Sequence, residues 1–190
     1  MNELSRLATE LGDFCAKRGW RFCIIGGFAV QYWGEPRMTM DVDLSLLTGF
    51  GEEEGFVDEL LRHYAGRLPE TRNFALQNRV LLLKHSSGVG IDIALAALPF
   101  EESVVDRSVM IEVEPGCAVR VCTAEDLIVM KAFANRAIDW HDVRGIIVRQ
   151  KGELDWRYIN KELTPLSEAK EQPEIVYNLE ALRRELEATP

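Results

Sequence analysis

The 190-residue chain is 47% apolar and 28% charged, the balance of a soluble globular protein long enough to bury a core without staples. Its net charge of −9, from 31 acids against 22 Lys and Arg, argues against broad, sequence-independent binding to a phosphate backbone and suits a cationic small molecule or a basic protein partner better. Cys15, Cys23, Cys117 and Cys122 form no CxxC pair, which reads as buried thiols in a reducing cytoplasm rather than zinc ligands.

The opening Met-Asn-Glu-Leu-Ser turns amphipathic at once, so no signal peptide is expected. Leu4, Leu7, Ala8, Leu11, Phe14 and Cys15 recur at helical spacing up to Gly19. Residues 21–25 suit a buried strand, Gly26-Gly27 breaks it, and residues 28–33 suit a short helix closed by Gly34 and Pro36. Residues 40–47 alternate acid or Ser with Val or Leu, the period of a half-buried strand. A helix is expected over 52–65, then a hairpin of strands 79–85 and 90–95, then a second hairpin around Pro115-Gly116. From Thr123 the chain reads helical: a capped helix to about Asn135, one starting near Asp139, and two more over 155–163 and 174–188. No apolar run approaches the ~18 residues of a membrane span, so no membrane partner is expected. The fold class is α+β, a mixed β-sheet flanked by helices with a C-terminal helical region. The expected division is 1–122 for a catalytic core and 123–190 for helices packed on it.

Asp41 and Asp43 carry the first chemical signal. Two apart on a strand, they project from one face with backbones roughly 6.5–7 Å apart. Each raises the other's cost of ionising, and a divalent cation between them removes that penalty. The alternative is a solvated strand face. Gly26-Gly27, between a strand and a helix, lets backbone N–H groups approach a phosphate at a positive helix terminus; the alternative is a tight turn. Asp92, flanked by Ile91 and Ile93, points away from the core, where it can complete a metal site and take a hydroxyl proton.

Together, Ile25-Gly26-Gly27, thirteen intervening residues, Asp41-Val42-Asp43 and the later Asp92 resemble the nucleotidyltransferase superfamily related to DNA polymerase β. That signature is an apolar residue, Gly, then Gly or Ser, a spacer, and acid-x-acid on a strand. The preceding Arg37-x-Thr39 resembles the version in AbiEii-type toxins and aminoglycoside nucleotidyltransferases. The resemblance spans residues 20–95, about two fifths of the chain. It implies that Gly26 and Gly27 hold an NTP triphosphate, with Arg37 and Thr39 beside it. It also implies that Asp41, Asp43 and Asp92 bind Mg²⁺ or Mn²⁺, and that Asp92 helps deprotonate the acceptor. Many active members carry Ser at the position of Gly27.

In the helical part Lys131, Arg136, Asp139 and Asp142 follow as Lys-x4-Arg-x2-Asp-x2-Asp, similar to a cluster in AbiEii-type proteins. Lys131, on an apolar helix, is expected to neutralise NTP phosphates as a point charge, or else to be a snorkelling surface lysine. Asp139 and Asp142 read as a helix cap and a first-turn acid. The residues leave the acceptor open. A toxin acting on tRNA or protein, paired with an antitoxin, stands beside an enzyme acting on a cationic aminoglycoside. A nucleotide-binding module without catalysis is the third reading, and the presence of all three acids counts against it.

Overall fold

The structure, a computed structural model, describes residues 2–188. The chain divides into two compact units, Met1–Phe28 with Met38–Cys122, and Ala29–Arg37 with Thr123–Pro190. The short segment 29–37 thus groups with the C-terminal helices.

The first unit opens on α1 (Glu3–Ala16), whose Asn2 cap accepts the Ser5 N–H at 2.8 Å. Its buried stripe of Leu7, Leu11 and Cys15 packs α1 on β1 (Phe22–Ile25), β2 (Asp41–Leu47) and β7 (Cys117–Val121). The other strands are β3 (Ala65–Gly66), β4 (Val80–Lys84), β5 (Gly90–Ala96) and β6 (Val109–Glu114). Together they form one mixed seven-stranded sheet in the order β3-β4-β5-β2-β1-β7-β6. β2 pairs antiparallel with β1 and parallel with β5.

Alternation fixes which side of this sheet is which. Val42, Leu44, Ile91 and Ile93 are fully buried on one face, each worth about 1.5–3 kcal/mol in the core. A one-residue slip of β2 or β5 would turn that set into water. The register that buries them therefore turns Asp41, Asp43 and Asp92 to the opposite face.

α3 (Glu53–Leu61) is shorter than expected. β3, α4 (Thr71–Asn78) and α5 (Pro99–Arg107) were not expected at all. Proline at N1 starts α5, and Glu101 accepts the Ala97 and Leu98 N–H groups at 2.8 and 2.9 Å. All four cysteines are buried, as expected.

The second unit holds α6 (Ala124–Ala134), α7 (Ala137–Arg149), α8 (Trp156–Ala169) and α9 (Glu174–Glu187). Its core includes Leu127, Ile128, Val143, Ile146, Ile159, Leu163 and Leu179. Segment 29–37 is tied in by Arg149 donating to the Gly34 carbonyl at 2.8 Å and Gln150 to that of Trp33 at 2.9 Å. α8 continues through Pro165, six residues past its expected end. No helix among the described residues is long and apolar enough to cross a membrane.

Candidate active site

The sheet sets the acids in a row. In the β2–β5 pairing, Asp43 lies opposite Asp92 and Asp41 opposite Gly90. Register partners on neighbouring strands project from the same face, their strands roughly 4.8 Å apart. Asp41, Asp43 and Asp92 therefore share a face, the first two by period-two alternation and the third by register.

α2 (Gly26–Trp33) starts on the residue after β1 ends, so Gly26 and Gly27 form its first turn. Gly26 has φ +62°, and a Cβ there would fall on the Asp43 carboxylate. Gly27 donates its N–H to Asp43 Oδ2 at 3.3 Å, and a Cβ on it would stand 2.6 Å from Thr39 Oγ1. The glycines thus seat a carboxylate against a helix N-terminus, where partial positive charge stabilises it. Thr39 closes the arrangement by donating its hydroxyl to Asp41 Oδ1 at 3.0 Å.

Arg67, which the sequence reading passed over, pairs with Asp92 through Nη2 and Oδ1. Both side chains are about 30% exposed, 31% and 29%. Burial pushes the Asp92 carboxyl above the ordinary carboxylate range; Arg67 pulls it down and the Asp41 charge pushes it further up. An acid raised in this way is better matched to accepting a proton near neutral pH than an ordinary aspartate.

Among the described residues, no group of three or more His, Cys, Asp or Glu side chains forms a cage for a metal ion. The three aspartates form an open row instead. That donor set still fits Mg²⁺ or Mn²⁺, because such ions take one or two carboxylates and complete their shell with water and substrate phosphate oxygens.

Arg37 and Lys131 belong to the second unit, in a buried ion network with Asp139 and Asp142. Lys131 Nζ lies 3.1 Å from Asp139 Oδ1 and 2.9 Å from Asp142 Oδ2. Arg37 holds Asp142 through two bonds of 2.7 and 2.9 Å, and Arg136 holds Asp139 through bonds of 2.6 and 3.1 Å. Asp139 is 0% and Asp142 2% exposed. Burial pushes both carboxyls up, but the donors outweigh it, Arg136 and Lys131 on Asp139 and Arg37 and Lys131 on Asp142. Both therefore titrate below the ordinary range. Asp139 does fall in the first turn of α7, whose N-cap is Arg136. Neither acid, however, is a solvated cap, and Lys131 at 7% exposure is no surface lysine.

The family model described as nucleotidyl transferase AbiEii toxin, Type IV TA system, matches residues 18–163. No curated protein sequence matches the chain. Among solved structures, an antigenic nucleotidyltransferase-like protein from Paracoccidioides brasiliensis is similar. It is 16% identical at a TM-score of 0.55, over 94% of this chain and 93% of that one. ANT(2")-Ia, solved in complex with adenylyl-2"-tobramycin, is 17% identical at a TM-score of 0.50, over 98% of both chains. At these identities the likeness is one of fold.

Proposed function

Because the chain belongs to the AbiEii nucleotidyl transferase toxin family and is a nucleotidyltransferase, we propose that it moves a nucleoside monophosphate from an NTP to a hydroxyl acceptor at Asp41, Asp43 and Asp92. The observation that carries this reading is the register of β2 on β5, which sets Asp43 beside Asp92 with Asp41 on the same face. The acceptor hydroxyl attacks the α-phosphate in line and pyrophosphate leaves.

Each residue has a separate task in this reading. Asp41 and Asp43 hold Mg²⁺ or Mn²⁺, and Asp92 completes the set. The bound ion supplies charge neutralisation at the transferring phosphoryl group. Asp92 takes the acceptor proton. The first turn of α2 presents N–H groups and a positive terminus to the triphosphate. Thr39 fixes the Asp41 carboxylate, and the two glycines leave room for Asp43 and Thr39 to close on that turn.

The acceptor proposed first is tRNA or protein, with the chain acting as the toxin of a pair whose second member is an antitoxin, the system named by the family description. A cationic aminoglycoside is the second reading, favoured by the net charge of −9. The test is incubation with each α-labelled NTP and Mg²⁺ against cell RNA, cell protein and aminoglycosides. Label on one acceptor class, absent with Asp43→Asn, is expected. No label on any acceptor with any NTP would overturn the proposal.

A further inference from the structure

We propose that Arg67 is a built-in counter-ion of Asp92 that a divalent cation has to displace, so that this residue sets the metal affinity of the carboxylate row. The inference rests on the reading of Asp41, Asp43 and Asp92 as metal ligands and adds a residue that opposes them.

The backbone delivers Arg67 to this place. β3 pairs with β4, Gly66 opposite Leu83, and the Arg67 N–H extends that pairing by donating to the Leu82 carbonyl at 3.0 Å. Leu82 is in turn the register partner of Asp92, and Asp92 that of Asp43. Arg67, Leu82, Asp92 and Asp43 therefore form one row across four neighbouring strand segments. The next residue is pinned as well: the Leu68 N–H donates to Thr71 Oγ1 at 2.9 Å, and that hydroxyl donates to the Leu68 carbonyl at 2.7 Å.

The guanidinium end lies over the start of β5. A Cβ built on Gly90 would stand 3.1 Å from Arg67 Nη1 and 3.3 Å from the Asp41 Cβ. Arg67 thus engages Asp92 and lies beside Asp41 at the same point. A larger residue at position 90 would run into the guanidinium.

Competition follows from charge and geometry. A guanidinium remains charged at any working pH, so it repels a second cation at Asp92, and its hydrogen bond holds one of the acceptor sites on Oδ1. Cation binding that includes Asp92 therefore carries the cost of breaking one partly exposed ion pair. Removing Arg67 removes that cost, and the gain depends on Asp92 being present. An unspecific positive field would act whether or not Asp92 is ionised.

The experiment is a Mn²⁺ titration of the EDTA-stripped, folded protein, reading free Mn²⁺ by its paramagnetic resonance signal. The variants are wild type, Arg67→Gln, Arg67→Lys, Asp92→Asn, the Arg67→Gln/Asp92→Asn double and Asp41→Asn. Arg67→Gln is expected to bind Mn²⁺ about two- to fivefold more tightly than wild type, the order of one partly exposed ion pair exchanged. Arg67→Lys, a compact point charge without the planar fork, should fall between the two, and decides the matter alone if the Gln variant does not fold. The gain should vanish in the Asp92→Asn background. Equal affinity in wild type and the Arg67 variants, weaker binding without Arg67, or a gain that persists without Asp92 would each overturn the inference. These outcomes leave the site reading intact so long as Asp41→Asn weakens Mn²⁺ binding. Binding that ignores Asp41→Asn as well would overturn the site reading itself.

Discussion

On the sheet, Asp41, Asp43 and Asp92 stand side by side on one face, with Arg67 on Asp92, a threonine hydroxyl on Asp41 and a glycine N–H on Asp43. Between α6 and α7, Asp139 and Asp142 are as closely grouped but almost fully buried, with Lys131 shared between them and an arginine on each. In the helical cluster three protein cations meet two carboxylates; burial is tolerable there because each charge is paired and hydrogen-bonded. The row on the sheet keeps its acids part-exposed, and Asp92 is raised where Asp139 and Asp142 are lowered. The difference separates buried acids neutralised within the fold from part-exposed acids that we propose meet a ligand.

The sharpest way to break this comparison is to remove one acid from each region. Asp92→Asn should lower the transfer rate by about 10²–10⁴, the range for losing a positioned base. NTP binding should stay within a few-fold and stability within about 1 kcal/mol. A fall in affinity equal to the fall in rate would place Asp92 in binding instead. Asp139→Asn should act the other way, costing on the order of 3–5 kcal/mol in denaturant unfolding because Lys131 and Arg136 lose a buried partner. A melt unchanged from wild type would show that the helical network is dispensable.

Gly26→Ala is expected to lose about 1–2 kcal/mol from its left-handed backbone alone, and to displace Asp43 as well. The same change at Gly27, where φ is not positive, should cost less and act through Thr39. Comparing Mn²⁺ affinity in the two variants separates these effects, since the first displaces Asp43 directly and the second reaches Asp41 only through Thr39.

The smallest effect is a pH dependence of opposite sign in the two regions. Asp139 and Asp142 have folded-state values below the unfolded ones. Their contribution is therefore present above the ordinary carboxylate range and is lost as pH falls through the depressed values. The stability gap between wild type and Asp142→Asn should narrow with acidification. Asp92 is raised, so its ionisation opposes folding as pH rises through its folded value. Asp92→Asn should gain on wild type between acid and neutral pH. Parallel profiles for the two variants would erase the distinction.

Much of this was legible in the chain. Alternation over 40–47 and around Asp92 gave both strands and the outward acids, because one face had to bury Val42, Leu44, Ile91 and Ile93. Periodicity cannot say that β2 and β5 are neighbours, and that pairing is what joins Asp43 to Asp92. Arg67 left no local signal: it follows a two-residue strand, and its meaning comes from a row across β4 and β5. Pro99 with Glu101-Glu102 did signal the start of α5, and the sequence reading passed over it. Lys131 was noticed, but its burial and its two partners come from the fit of α7 to α6, which helical spacing does not encode.

The most direct test of the central claim is a thermal melt with each of the four NTPs and Mg²⁺. It compares wild type with the Asp41→Asn/Asp43→Asn double variant. At least one NTP with Mg²⁺ should stabilise the wild type, by about 2.7 kcal/mol at 100 times its dissociation constant, and leave the double variant unmoved. No shift with any NTP, or an equal shift in both proteins, would contradict the assignment of the sheet aspartates to a metal-nucleotide site.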